Sequence, residues 1–144
     1  DHLVKRVIGM PGDHVVCCTD NGRIEVNGTP LDEDPYLYEA NGSMVSPSDI
    51  PFDLVVPADR VFVMGDHRND SRDSRYHLCD SAPGEAEGTG AFVPVADVTG
   101  PVVAIALPFS RATRLHIPGT FASVPDAGAA PAQPVINLSP CKPS

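Results

Sequence analysis

The feature that most constrains the fold is a charge-rich stretch, residues 65–75, directly after an apolar run at residues 61–64. It reads Gly-Asp-His-Arg-Asn-Asp-Ser-Arg-Asp-Ser-Arg. A strand pattern that ends in so many charges leads either to a solvated turn or to a site where the charges pair. Asp73 and Arg75 are two residues apart, so in an extended segment they project to the same side, with Ser74 opposite. This order favours pairing over a solvated turn.

Short apolar segments separated by turn residues make up most of the chain. The predicted strands are residues 2–8, 14–19, 23–26, 52–56, 60–64, 92–95 and 98–107. Residues 29–51 contain four prolines and no sustained period, which indicates a long irregular excursion. No segment keeps a helical apolar period over three turns. The pattern predicts an all-β fold of packed antiparallel sheets.

The composition changes towards the end of the chain. Alanine, proline, glycine and serine dominate from Pro118 onward, with few charges. We therefore predict a β domain over residues 1–111 and a disordered tail over residues 112–144. The chain starts at Asp1 with an apolar pattern already present by Leu3, so we expect a piece of a longer protein whose upstream part held a membrane anchor or signal.

Charge and cysteine content exclude several classes of function. The net charge of −9 argues against binding to nucleic acid or to an anionic membrane surface. The four cysteines, Cys17, Cys18, Cys79 and Cys141, lack zinc spacing, so no metal or other cofactor is expected. Cys17 and Cys18 should point to opposite faces of a strand. At most one of them could reach Cys79, and buried free thiols are the simpler expectation.

Lys5 is the only lysine of residues 1–111, because eight of the ten basic residues are arginine and the other lysine is Lys142. Arginine keeps its proton, whereas a lysine against an apolar wall can become a neutral base. An ordinary solvated lysine at a strand edge is the competing interpretation. A base would need a hydroxyl to orient it, which Ser71 or Ser74 could supply, and carboxylates that are already paired with arginines.

Histidine is the competing base. His67 lies inside the charged stretch, so composition alone leaves a Ser-His-Asp triad open. The chain contains no Gly-x-Ser-x-Gly nucleophile elbow, which weakens that route.

Two segments together resemble one family. Lys-Arg-Val-Ile-Gly-Met-Pro-Gly-Asp at residues 5–13 is similar to the lysine-bearing segment of type I signal peptidases. Residues 65–75 are similar to the Gly-Asp-x-Arg-x-x-Ser-x-Asp-Ser-Arg segment of the same family. Phe-Val-Pro at residues 92–94 and the apolar run from Val98 also resemble later segments of that family. The resemblance covers about residues 3–111.

The resemblance implies a serine endopeptidase with a Ser-Lys dyad, anchored in the bacterial cytoplasmic membrane with its catalytic domain on the outer side. Its substrates would be the signal peptides of exported preproteins, held extended against strand edges. By the same resemblance Lys5 is the general base and Ser71 hydrogen-bonds its amine. The residues implied to support the site are Arg6, Gly65, Asp66, Arg68, Asp73, Ser74 and Arg75.

The chain departs from the family pattern at the nucleophile. In the family the nucleophilic serine belongs to a Ser-Met-x-Pro segment before the lysine, and only four residues precede Lys5. Ser43 in Gly-Ser-Met-Val-Ser-Pro follows the lysine, with its proline one residue late, so we expect a plain surface turn there. Arg72 stands at a position, between Ser71 and Asp73, where a small residue is common in the family. The alternative to a peptidase is a non-catalytic β module that binds extended peptides or a protein partner.

Overall fold

The strands of the protein form antiparallel sheets. The computed structural model describes residues 2–141, so Asp1 and residues 142–144 lie outside the description. The strands are β1 Arg6–Gly9, β2 His14–Cys17, β3 Ile24–Val26, β4 Thr29–Pro30, β5 Glu39–Ala40, β6 Ser43–Met44, β7 Phe52–Val55, β8 Arg60–Met64, β9 Phe92–Pro94, β10 Ala104–Ile105, β11 Thr113–Arg114 and β12 Val135–Leu138. Turns of 3-10 helix lie at Arg68–Asp70, Ser74–His77, Thr89–Ala91, Val95–Asp97, Phe109–Arg111 and Gly119–Ser123. The predicted all-β fold with antiparallel sheets is confirmed.

Two sheets carry most of the fold. The larger has the order β12-β7-β2-β3-β4, and the smaller has the order β1-β8-β9. In β2 the side chains alternate, with Val15 and Cys17 buried and His14 and Val16 half-buried, as expected for a strand with one face on the core. The Asp-Asn-Gly turn at residues 20–22 joins β2 to β3, with Val15 opposite Val26 and Cys17 opposite Ile24.

Three phenylalanines from three strands connect the sheets through the core. The ring centroids of Phe52 in β7 and Phe62 in β8 are 5.2 Å apart, and those of Phe62 and Phe92 in β9 are 5.9 Å apart. Each ring is at most 2% exposed. Burial of a phenylalanine side chain contributes about 1.5–3 kcal/mol, so these contacts hold the smaller sheet against the larger one. The smaller sheet is the one that positions the charged stretch, because β8 ends at Met64.

The strand predicted at residues 98–107 is wrong except at Ala104–Ile105, which pairs only with β11. Side chains throughout residues 95–117 are exposed, including those of Val103 and Leu107. Gly100 and Pro101 interrupt the apolar run, and proline removes a backbone donor that a continuous strand needs. Within the described residues, this apolar run pairs only with the two-residue strand β11, and no strand of greater length lies beside it. The run therefore does not form a buried strand.

Disorder was the expectation for residues 112–144, and the described part of that tail, residues 112–141, does not follow it. β12 pairs with β7, with Ile136 opposite Leu54. The side chains of Phe121, Val124 and Ile136 pack against the core. The prediction failed because it counted overall composition, whereas a few well-spaced apolar side chains and the open edge of β7 suffice to order the segment. The boundary at residue 111 stays a prediction.

The cysteines are paired, contrary to the expectation of free thiols. Cys79 and Cys141 form a disulfide with their Cα atoms 5.5 Å apart, which joins the last described residue to the loop after the charged stretch. Cys17 and Cys18 are bonded to each other. The argument for opposite faces assumed that both residues lie in one strand, but β2 ends at Cys17 and Cys18 lies beyond it. Neither of them meets Cys79.

Candidate active site

Lys5 and Ser71 meet directly. The Lys5 Nζ donates a hydrogen bond to the Ser71 Oγ at 2.7 Å, and both residues are half-buried. Lys5 immediately precedes β1, whose first residue pairs with Met64 at the end of β8. Antiparallel pairing thus places the start of β1 beside the beginning of the charged stretch, and Ser71 follows the turn Arg68–Asp70 that folds back towards it.

Gly65 makes this approach possible. A Cβ atom at residue 65 would overlap the Ser71 hydroxyl and would lie 3.7 Å from the Lys5 Nζ. The backbone of Gly65 is also held from both ends: its N–H donates to the Asp73 Oδ2 at 2.9 Å, and its carbonyl accepts from the Arg68 Nε at 2.9 Å. Glycine is therefore required here by close packing against the serine.

Asp73 and Arg75 form a buried ion pair. The Arg75 Nε and Nη2 each donate to the Asp73 carboxylate at 2.8 Å, and both side chains are almost fully buried. Burial alone would raise the pKa of Asp73, but the hydrogen bonds from Arg75 and the Gly65 amide hold that pKa below its usual value, with a further contribution from the Ser71 hydroxyl. Ser74 faces the other way and its Oγ accepts from the Val63 N–H at 3.0 Å.

A second pair joins the lysine-bearing segment to the charged stretch. The Arg6 Nε and Nη2 donate to the two oxygens of Asp66 at 2.7 and 2.8 Å. The hydrogen bonds that Arg6 donates to Asp66 raise the pKa of Arg6 above its usual value, against the opposing effect of burial. The Arg6 guanidinium also lies over the Tyr36 ring, 4.0 Å from its centroid.

Arg68 pairs with a residue that sequence reasoning missed, Glu33. The Arg68 Nη2 donates to the Glu33 Oε1 at 2.5 Å, and the two side chains are 1% and 2% exposed. Tyr36 donates its hydroxyl to the same Glu33 oxygen at 3.0 Å, and burial, followed by the Glu33 charge, raises the pKa of Tyr36.

The missed partner lies in the irregular proline-rich segment, where no period marks a buried side. A count of charges would have indicated it. The site residues predicted from sequence include three arginines that need partners, Arg6, Arg68 and Arg75, but only two aspartates. A third carboxylate had to come from elsewhere in the chain, because a buried guanidinium keeps its charge.

The remaining sequence candidates lie apart from the Lys5–Ser71 contact. His67 has its ring 3.9 Å from that of Tyr38 and its Nδ1 3.8 Å from Asp70. Within residues 2–141 no hydrogen bond joins His67 to a serine. Ser43 is exposed in the short strand β6, and Arg72 is exposed as well.

The arrangement leaves a single amine beside a neutral hydroxyl. Asp66, Asp73 and Glu33 are each engaged by an arginine. In the part of the chain that the structure describes, no ion pair involves Lys5. An amine that is oriented by a hydroxyl, without a carboxylate to hold its proton, is suited to proton transfer.

Comparison with known proteins places this chain in a family. The sequence profile described as signal peptidase, peptidase S26, matches residues 1–107. The chain belongs to this signal peptidase family. The resemblance noted from the two motifs is thus confirmed.

Several signal peptidases are similar to this chain. Signal peptidase I of Mycobacterium tuberculosis (strain CDC 1551 / Oshkosh) is 43% identical over 122 residues, which cover 76% of this chain and 37% of that protein. Probable signal peptidase I of Mycobacterium leprae is 37% identical over 124 residues, covering 76% of this chain and 40% of its own length. Signal peptidase I of Bacillus amyloliquefaciens is 38% identical over 97 residues, covering 65% and 51%. The match therefore spans between about two fifths and one half of these relatives.

No helix within the described residues has both the length and the apolar character needed to cross a membrane. The candidate site described above is built from the smaller sheet and the loop that follows β8.

Proposed function

We propose that this chain forms the base-bearing part of a signal peptidase, a serine endopeptidase that removes signal peptides from exported preproteins. The observation that carries the proposal is the 2.7 Å hydrogen bond from the Lys5 Nζ to the Ser71 Oγ, at a point where the neighbouring carboxylates are paired with arginines. Lys5 is the general base, and Ser71 orients its amine.

In the proposed reaction the neutral Lys5 amine takes the proton of a serine hydroxyl, whose oxygen attacks the carbonyl carbon of the scissile peptide bond. The protonated amine then gives this proton to the departing nitrogen, and an acyl-enzyme ester is left. Lys5 next takes a proton from a water molecule, whose oxygen bonds to the ester carbonyl carbon. The protonated amine gives this proton to the serine oxygen as the ester C–O bond breaks, which releases the signal peptide with a free carboxylate and regenerates the serine. We propose that the nucleophilic serine comes from a segment that precedes residue 1 in the complete protein.

The substrate would bind as an added strand. β1 pairs with β8 on one side in the three-stranded sheet, and Lys5 stands directly before β1. Backbone hydrogen bonds along a strand edge give affinity for an extended peptide, and small pockets for its side chains would select small residues near the cut. An N-terminal anchor in the cytoplasmic membrane, with this domain on the outer side, would bring the site to exported preproteins.

The test uses the complete protein with a preprotein substrate, and follows cleavage by mass. Lys5→Ala should abolish cleavage while the fold is retained, and Ser71→Ala should lower kcat with little change in KM. Arg114→Ala, at an exposed position in β11, serves as the control and should cleave normally. The chain of residues 1–144 by itself should not cleave.

Turnover by the Lys5→Ala variant would remove Lys5 as the base. If the complete protein binds signal peptides without cleaving them, the non-catalytic β module is the correct interpretation.

A further inference from the structure

We propose that Glu33 is a positioning residue of the Lys5–Ser71 site, an inference that rests on the proposed function. Glu33 does not touch Lys5 or Ser71 in the structure. It binds two groups that hold the segments on which those residues lie, Arg68 on the loop side and Tyr36 on the β1 side. Its carboxylate is the group common to both supports.

The first support runs through Arg68. This guanidinium is almost fully buried, and its donors are directed to the Glu33 carboxylate, the Pro47 carbonyl at 2.7 Å and the Gly65 carbonyl at 2.9 Å. Arginine cannot lose its proton under working conditions. Without the Glu33 charge the guanidinium must therefore turn towards solvent or another acceptor, and its hydrogen bond to Gly65 is weakened.

A shift of the Arg68 guanidinium would affect the Lys5–Ser71 site through Gly65. Its Cα lies against the Ser71 side chain so closely that no Cβ could be accommodated, and the position of that Cβ is 3.7 Å from the Lys5 Nζ. The Gly65 carbonyl is fixed by Arg68 and its amide by Asp73. When the carbonyl is released, the Ser71 hydroxyl is free to move away from the amine.

The second support runs through Tyr36. Its hydroxyl donates to the Glu33 Oε1 at 3.0 Å, the oxygen that also accepts from Arg68. The Tyr36 ring lies under the Arg6 guanidinium, at 4.0 Å, and Arg6 is the residue next to Lys5. Glu33 thus stabilises both the lysine-bearing segment and the serine-bearing loop. Through these two contacts it also fixes the distance between them.

The experiment measures the reactivity of the Lys5 amine in the 144-residue chain, which does not require the nucleophile. Trace labelling with an amine-specific acylating reagent at one fixed pH is followed over time by peptide mass spectrometry. Lys5 and Lys142 fall in different peptides, so each is read separately. The same chain unfolded in urea gives the labelling rate of an ordinary lysine.

We expect Lys5 to be labelled more slowly in the folded chain than in the unfolded chain, because its amine is half-buried and hydrogen-bonded to the Ser71 hydroxyl. Glu33→Gln, which keeps the shape and removes the charge, should bring the labelling rate most of the way back to the unfolded value, and Tyr36→Phe should change it less. Glu85→Gln is the matched control, because it removes the same charge from an exposed pair with Arg60 and should leave the labelling rate of Lys5 unchanged. Val26→Ala, a truncation in the core, controls for a loss of stability.

Equal labelling rates of Lys5 in the folded and unfolded chains would overturn both the proposed function and this inference. A slower rate in the folded chain that Glu33→Gln and Tyr36→Phe leave unchanged, as Glu85→Gln does, would overturn the positioning role alone. If Glu33→Gln does not fold, the Tyr36→Phe result decides. In the complete protein Glu33→Gln should lower kcat by about 100-fold at nearly constant KM, the size of effect expected from a small misplacement of a catalytic group.

Discussion

The charged stretch at residues 65–75 and the C-terminal segment at residues 119–141 are ordered in opposite ways. The charged stretch is held from within the molecule by ion pairs, since Arg68, Asp73 and Arg75 are each at most 4% exposed. The C-terminal segment lies on the outside and is held at points along its length: the turn Gly119–Ser123, the strand β12 and the disulfide to Cys79.

The difference shows what local composition misses. A run of charges normally faces water, and an alanine- and proline-rich tail is normally disordered. Both rules fail here because the deciding partners are distant in sequence: Glu33 for the charged stretch, and β7 and Cys79 for the C-terminal segment. If this view is correct, removing a distant partner should destabilise one region and leave the stability of the other unchanged.

The largest effect is expected when Arg68 is replaced. Arg68→Met leaves Glu33 buried and unpaired, which should lower the free energy of unfolding by about 3–5 kcal/mol. Urea unfolding measures this loss. Arg60→Met is the control, because its pair with Glu85 is more exposed and should contribute only about 0–1 kcal/mol.

The double variant Glu33→Gln with Arg68→Met sharpens the result. The free energy of unfolding of this double variant should be higher than that of Arg68→Met alone, because no unpaired charge then remains in the interior. Equal losses for Arg68→Met and Arg60→Met would mean that the charged stretch is held no more firmly than an exposed ion pair.

Sequence reasoning predicted the parts of this molecule that depend on neighbours in the chain. The strands around residues 14–17 and 60–64 follow from alternation and turns, and the spacing of Asp73 and Arg75 suggested the pair that the structure contains. Glu33 was missed because it lies in a segment without a period. β12 was missed because pairing with β7 depends on a free strand edge, which no local pattern in residues 135–138 indicates.

The next effect concerns the disulfide of the C-terminal segment. Cys79→Ala with Cys141→Ala removes a link between residues 62 apart, and the expected loss is about 2–4 kcal/mol. Hydrogen exchange should show faster exchange of the β12 amides at Val135–Leu138, while the Gly65 amide keeps its protection. Unchanged protection of β12 would mean that pairing with β7 alone holds this segment.

A smaller effect is expected from pH, and it distinguishes the two regions through their carboxylates. The pKa of Asp73 is lowered by Arg75 and Gly65 against the effect of burial, and the pKa of Asp53 is lowered by Asn137 of β12 and His14, also against burial. An unfolded aspartate has a pKa of about 3.9. Each contribution to stability is therefore full above about pH 4 and is lost as the pH falls through the lowered folded value.

Unfolding measured from pH 2 to pH 5 checks this expectation. Asp73→Asn and Asp53→Asn should each flatten the pH dependence, and the two flattening effects should add if the regions are independent. When both disulfide cysteines are also replaced, the contribution of Asp53 should shrink and that of Asp73 should stay. An equal pH dependence in the wild type and in Asp73→Asn would contradict the lowered pKa of Asp73.

The smallest effect belongs to an aromatic contact through which the C-terminal segment reaches the support of the site. The rings of Phe121 and Tyr36 are stacked with their centroids 6.4 Å apart, and Tyr36 in turn supports Arg6. A double-mutant cycle with Phe121→Ala and Tyr36→Leu should give a coupling energy of about 0.5–1.5 kcal/mol. Tyr36→Phe in place of Tyr36→Leu keeps the ring and should preserve the coupling to Phe121. A coupling of zero would mean that the stacking of Phe121 on Tyr36 does not connect the two regions energetically, so the segment could be released without disturbing Arg6.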